Sequence, residues 1–120
     1  MFGVPADLDL SPFQGAVLEQ IALGPYMIQF RFAGDPEGFI SVEGDWELVS
    51  PDGQVLDHQQ PPGERTCYRL HVLLNREVVG FEVLPPEEFS LTFDSGHRLR
   101  IFDHSREYES FSIQPGNIFV

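Results

Sequence analysis

Leu91 to Ile113 reads LTFDSGHRLRIFDHSREYESFSI. Leu91, Phe93, Leu99 and Ile101 alternate with Thr92, Arg98 and Arg100, the two-residue period of a half-buried antiparallel hairpin. Asp94-Ser95-Gly96 supplies the turn, and Gly96 can take the positive φ that such a turn needs. A second turn at Ser105-Arg106-Glu107 leads to a third strand opened by Tyr108-Glu109. The stretch therefore predicts a meander, and it carries no recognisable chemistry.

Upstream, the same period recurs. Tyr26, Ile28, Phe30 and Phe32 alternate with Met27, Gln29 and Arg31. Ile40, Val42, Trp46 and Leu48 alternate with Ser41, Glu43, Asp45 and Glu47, with Gly44 on the apolar side as the mark of a bulge or of close packing. Ala16 to Leu23 also reads as a strand, although Val17, Leu18 and Ile21 do not alternate cleanly. Met1 to Pro12 forms an arm that Leu8 and Leu10 pin to the body. Val55-Leu56 marks a short strand in a loop that otherwise runs to Gly63. The period then changes. Cys67, Leu70, Leu73 and Leu74 recur at three and four, which predicts a short helix over about residues 64–75 with Asn75 as its left-handed stop. Further strands are expected at Val78–Leu84, Phe89–Phe93, His97–Asp103, Ser110–Gln114 and Ile118–Val120.

Set side by side, residues 15–50 and 77–112 share one order of strand, break, strand, hairpin turn, strand and aromatic-Glu. Trp46-Glu47 then corresponds to Tyr108-Glu109. The expected architecture is a single α+β domain over residues 1–120 in which β dominates. It holds about six or seven mostly antiparallel strands in two related meanders, packed with one short helix.

The doubled meander, the helix before its second copy and the ending LTFDSGHRLRIFDHSREYESFSI resemble a group of small uncharacterised bacterial domains that finish in a "DG-x-x-L-x-I … YE-x-F" segment. Asp94-Ser95-Gly96 departs from that pattern by an inserted Ser. There is also a loose similarity to bacterial toxin-immunity proteins. What this implies is a bacterial interaction protein; no catalytic residue carries over.

Nineteen acids against seven arginines and no lysine give a net charge of −12. Between Met1 and Glu64 there are eleven acids and one base, Arg31. Such a chain is repelled by nucleic acid and by anionic membranes, and it permits a basic protein partner. A single cysteine, Cys67, fits a reducing cytoplasm. Met1–Pro12 has neither the basic nor the apolar region of a signal peptide, and no apolar run is long enough to span a bilayer, so a cytoplasmic protein is expected.

Glu43, Asp45 and Glu47 are the candidate binding residues. On one strand face their carboxylates would stand roughly 6–7 Å apart. This pattern reads as a solvated face that guards against edge pairing, as a docking stripe for a basic partner, or as a hard-cation site. It lacks the order of a calcium loop. Arg31 is the expected internal partner of Glu43. Cys67 and His71 share a helical face, where a buried inert thiol is the default. His58, His97 and His104 are too scattered for zinc. No metal, no cofactor and no enzymatic activity are expected. A non-enzymatic interaction module, monomeric or homodimeric, is the first reading. A structural dimer-forming domain and a small-ligand binder with a closed pocket are the alternatives.

Overall fold

Leu91, Phe93, Leu99 and Ile101 are all fully buried, so the hairpin read from their alternation is present. Leu91 lies opposite Leu99, and Phe89 opposite Ile101. Gly96 closes the turn at φ 89°, and its N–H donates to the Phe93 carbonyl at 2.8 Å. The structure, a computed structural model, describes residues 4, 6–25, 27–34, 37–60, 68–103, 111–114 and 118–119.

Ten strands run through the described residues: β1 (Val17–Leu23), β2 (Ile28–Ala33), β3 (Gly38–Val42), β4 (Trp46–Val49), β5 (Val55–His58), β6 (Val78–Leu84), β7 (Glu88–Phe93), β8 (Arg98–Phe102), β9 (Phe111–Gln114) and β10 (Ile118–Phe119). They form two antiparallel five-stranded sheets, ordered β1-β2-β3-β9-β10 and β5-β4-β8-β7-β6. One core cluster joins residues of both: Leu18, Ile28, Phe30, Phe32 and Ile40 from the first sheet, and Trp46, Leu48, Phe89, Leu91 and Leu99 from the second. Each sheet thus buries one face against the other, which a meander alone could not do.

The segment from Ile40 to Leu48 is not the single strand that its alternation predicts. The chain leaves the ladder at Glu43-Gly44-Asp45, so that β3 belongs to one sheet and β4 to the other. Ile40, Val42, Trp46 and Leu48 are nevertheless all buried. The three-residue crossover preserves the in-out parity, because both sheets turn their apolar faces to the same core. Glycine between two solvated carboxylates is a cheap place to bend.

The expected helix over residues 64–75 is corrected to a 3₁₀ turn at Leu70–Leu73, and no α-helix occurs among the described residues. Leu70 and Leu73 are buried, but Leu74 is extended and 39% exposed. A spacing of three suits three residues per turn as well as it suits an α-helix. Asn75, at φ 64°, then ends the segment before a second turn can form. Residues 61–67, Cys67 among them, lie outside the described residues.

Before β1 and before β6 the chain makes matched hydrogen bonds. The 3₁₀ turn at Ser11–Phe13 is followed by Gly15 at φ 83°, and that at Leu70–Leu73 by Asn75. The Leu18 N–H donates to Arg76 and the Val78 N–H to Ala16, at 3.0 and 2.8 Å. Asn75 donates back to Leu18 and Gly15 to Val78, both at 2.8 Å. Each strand then slips register one residue on, between Leu18 and Gln20 and between Val78 and Gly80. The first slip explains the unclear alternation of this segment: Leu18 faces Phe32, whereas Ile21, an odd step away, faces Phe30. Trp46 pairs with Ile101 and Phe111 pairs with Val42 at the corresponding places of the two sheets. By register, Trp46 thus stands in the second sheet where Phe111 stands in the first. Tyr108 lies outside the described residues.

Candidate acidic docking cleft

The crossover sets the three predicted carboxylates apart. Glu43 and Asp45 are exposed on either side of Gly44, whereas Glu47 is half-buried on the outer face of β4. Asp45 is held through its backbone, since its carbonyl accepts the Phe102 N–H at 3.0 Å. The three do not form a stripe on one strand.

Glu47 belongs instead to a row that crosses the outer face of the second sheet. It lies opposite His58 of β5 on one side and Arg100 of β8 on the other; Arg100 lies opposite Ser90, and Ser90 opposite Glu82. The Arg100 guanidinium donates to Glu47 at 2.9 Å and, through two nitrogens, to both oxygens of Glu88 at 2.8 and 2.9 Å. The hydrogen bonding to Glu88 raises the pKa of Arg100 above its ordinary value, against the opposing effect of burial. Its charge also sits 5.0 Å from the centre of the Phe102 ring. Of the two arginines that β8 turns outward, Arg98 and Arg100, the second is thus committed to two acids.

Asp45, Trp46, Glu47, His58, Gln59 and Phe102 line a cleft of about 250 Å³. Its floor is fixed by Trp46, whose Nε1–H donates to the Gln59 side chain at 2.7 Å while Gln59 donates back to the Trp46 carbonyl at 3.1 Å. Tyr68 packs edge-on against the indole with ring centres 4.9 Å apart. Glu47 and the Phe102 ring already face the Arg100 guanidinium, so the pull of this small open hollow on a further cationic side chain comes from the exposed Asp45 and the acidic charge of the chain. A second hollow of about 310 Å³ includes Pro51, Thr92, Arg98 and Arg100.

Arg31 does not reach Glu43; it pairs with Glu19 at 2.7 Å. The register slip in β1 brings Glu19 beside Arg31, while Glu43 lies beyond the end of β3. His71 is exposed, and the Nδ1 of His97 lies 2.9 Å from the Ser95 hydroxyl. His104 and the Ser105-Arg106-Glu107 turn lie outside the described residues. Among the described residues, no group of three or more His, Cys, Asp or Glu is arranged to hold a metal ion. None of the described helical segments is long and apolar enough to cross a membrane. Alternation identifies Glu47 and Arg100 as outward-facing, but not that β4 and β8 are neighbours. Glu88 and His58 were missed as site residues for the same reason.

No known protein-family model, curated protein or solved structure matches this chain.

Proposed function

We propose that this protein is a non-enzymatic, cytoplasmic interaction module that docks a basic protein partner, with an immunity or inhibitor protein as the concrete form. One observation carries this reading: Asp45 and Glu47 line a cleft with Phe102 and His58, on a chain of net charge −12. The bases offset that field locally only in part, since one arginine stands between two glutamates beside the cleft. Arg31 pairs with Glu19, and Arg100 with Glu47 and Glu88. Glu43 and Asp45 would steer the partner, and the cleft would receive one of its Arg or Lys side chains. The matched hydrogen bonds and register slips support a second element of the reading, a duplicated unit that exchanges its fourth strand between sheets.

The test is chemical-shift mapping with an arginine-rich octapeptide at low and moderate salt. Shifts concentrated on Asp45, the Trp46 indole, His58, Gln59 and Phe102, and lost in the Glu43→Gln/Asp45→Asn/Glu47→Gln variant, are expected. Shifts spread evenly over all exposed acids would reduce the cleft to a solvated face.

A dimer-forming domain is the second reading. It is favoured by Val79, Phe81 and Leu84, which are exposed along β6.

A further inference from the structure

Four strands end the two sheets: β1, β10, β5 and β6. Two of them are short, β5 with four residues and β10 with two. Of the seven-residue edges, β1 exposes one large apolar side chain, Leu23, and carries the Glu19–Arg31 ion pair. β6 differs. Val79, Phe81 and Leu84 are 46, 41 and 46% exposed, and the strand carries neither lysine nor proline to discourage pairing.

The apolar groups of β6 occupy both faces. Phe81 lies opposite Leu91 and Val83 opposite Phe89, which puts them on the core side of the sheet; Leu84 lies opposite Glu88, on the outer side. Both ends of the edge are occupied. The Val79 carbonyl accepts the Gln14 side-chain amide, and the Pro86 carbonyl accepts the Val4 N–H, each at 2.8 Å. Between them, and among the described residues, the backbone of Gly80–Val83 hydrogen-bonds only within the sheet, to β7. At about 3.4 Å per residue the open stretch from Gly80 to Val83 has room for roughly four residues of an added strand.

We propose that β6 is a strand-addition edge whose occupant is an extended segment of a partner protein with alternating apolar and basic side chains. The backbone edge provides hydrogen bonds, and Phe81 and Leu84 provide apolar contacts on the two faces. Charge selects the sign of the partner. Glu77, Glu82 and Glu87 are exposed along or beside this strand, and the nearby Arg76 faces Asp94 at 3.9 Å. In an antiparallel pairing centred on the open stretch, a second copy of the chain would bring Glu82 against Glu82 between molecules of net charge −12 each, so a basic segment suits this edge better than a second copy. The proposal shares with the preceding reading only the charge of the partner; it does not require the cleft.

The probe is an octapeptide of alternating Arg and Val, followed by amide hydrogen exchange of the native protein. With peptide at about 100 times its Kd, the edge-facing amides between Gly80 and Leu84 are expected to slow about 100-fold. Protection should persist in the Glu43→Gln/Asp45→Asn/Glu47→Gln variant, which separates the edge from the cleft. It should be lost with Phe81→Lys, with the core amides of Phe30 and Leu91 serving as the control for folding. Equal protection by a Glu-Val octapeptide, or equal binding of an Arg-Val octapeptide N-methylated at alternate bonds, would overturn the proposal. So would protection that appears without peptide and grows with protein concentration, which would assign the edge to a second copy.

Discussion

Gly38 shows how narrowly a single side chain is fitted. A Cβ there would lie 2.6 Å from the ring of Phe13, which itself packs edge-on against Phe32 with ring centres 5.2 Å apart. Both rings are fully buried, so neither has space to retreat. Gly38→Ala is expected to lose about 1–3 kcal/mol in chemical denaturation, with partial recovery when Phe13→Leu is added. Arg100 is the other sensitive residue. Arg100→Gln leaves Glu47 and Glu88 without the cation between them, and the three side chains are 15–30% exposed. The expected loss is roughly 1–2 kcal/mol near neutral pH, between the values for exposed and buried pairs. Because the pKa of Arg100 is raised, its contribution is full below the ordinary arginine range and disappears only above it. The mutational loss should therefore stay level from neutral pH up to the arginine range, which urea melts across pH will show. Asp9 and Asp52 are depressed by hydrogen bonds from Ser11 and Ser50. Any stability they contribute is present above the ordinary aspartate value and is lost as pH falls through their lowered values. An NMR titration should find both midpoints low, and Ser50→Ala should return Asp52 towards the ordinary value.

At the scale of elements, the 3₁₀ turn before β6 makes an unequal prediction for adjacent leucines. Leu73→Ala should cost about 2–5 kcal/mol, since Leu73 is fully buried, while Leu74→Ala should leave the melting midpoint nearly unchanged. An α-helix with Leu70, Leu73 and Leu74 on one face would make both costly. Alternation was sufficient to read β2, β7 and β8, whose buried apolar residues are those the two-residue period selects. It could not separate β3 from β4. Ile40, Val42, Trp46 and Leu48 keep one parity across a change of sheet, and parity says nothing about which sheet receives a residue. β5 and β10 have too few residues for a period to show clearly. In the candidate site, the outward direction of Glu47 and Arg100 was legible, but their contact depends on the pairing of β4 with β8, which are far apart in the chain. Glu88 entered the site by the same long-range pairing. Gly44 was the one local signal of the crossover, and a glycine in a strand marks a bulge as readily as an exit.

For the whole molecule, a net charge of −12 opposes compaction, and more than half of the acids lie before Arg65. Moderate salt should raise the melting temperature by screening this repulsion, whereas it should weaken any association with a basic partner. Opposite responses of the two quantities in one salt series would identify the charge as serving recognition at some cost to stability. Fold and cleft both depend on the crossover at Glu43–Asp45, because it brings Asp45 and Glu47 beside Phe102 and sends β9 to β3. The most direct test is a set of cross-strand nuclear Overhauser contacts in solution. Backbone contacts joining Trp46 to Ile101, Leu48 to Leu99 and Ile40 to Ile113 are predicted by the pairing of β4 with β8 and of β3 with β9. Backbone contacts from Trp46 to Gly24, the residue it would meet if β3 ran on unbroken against β2, would contradict it.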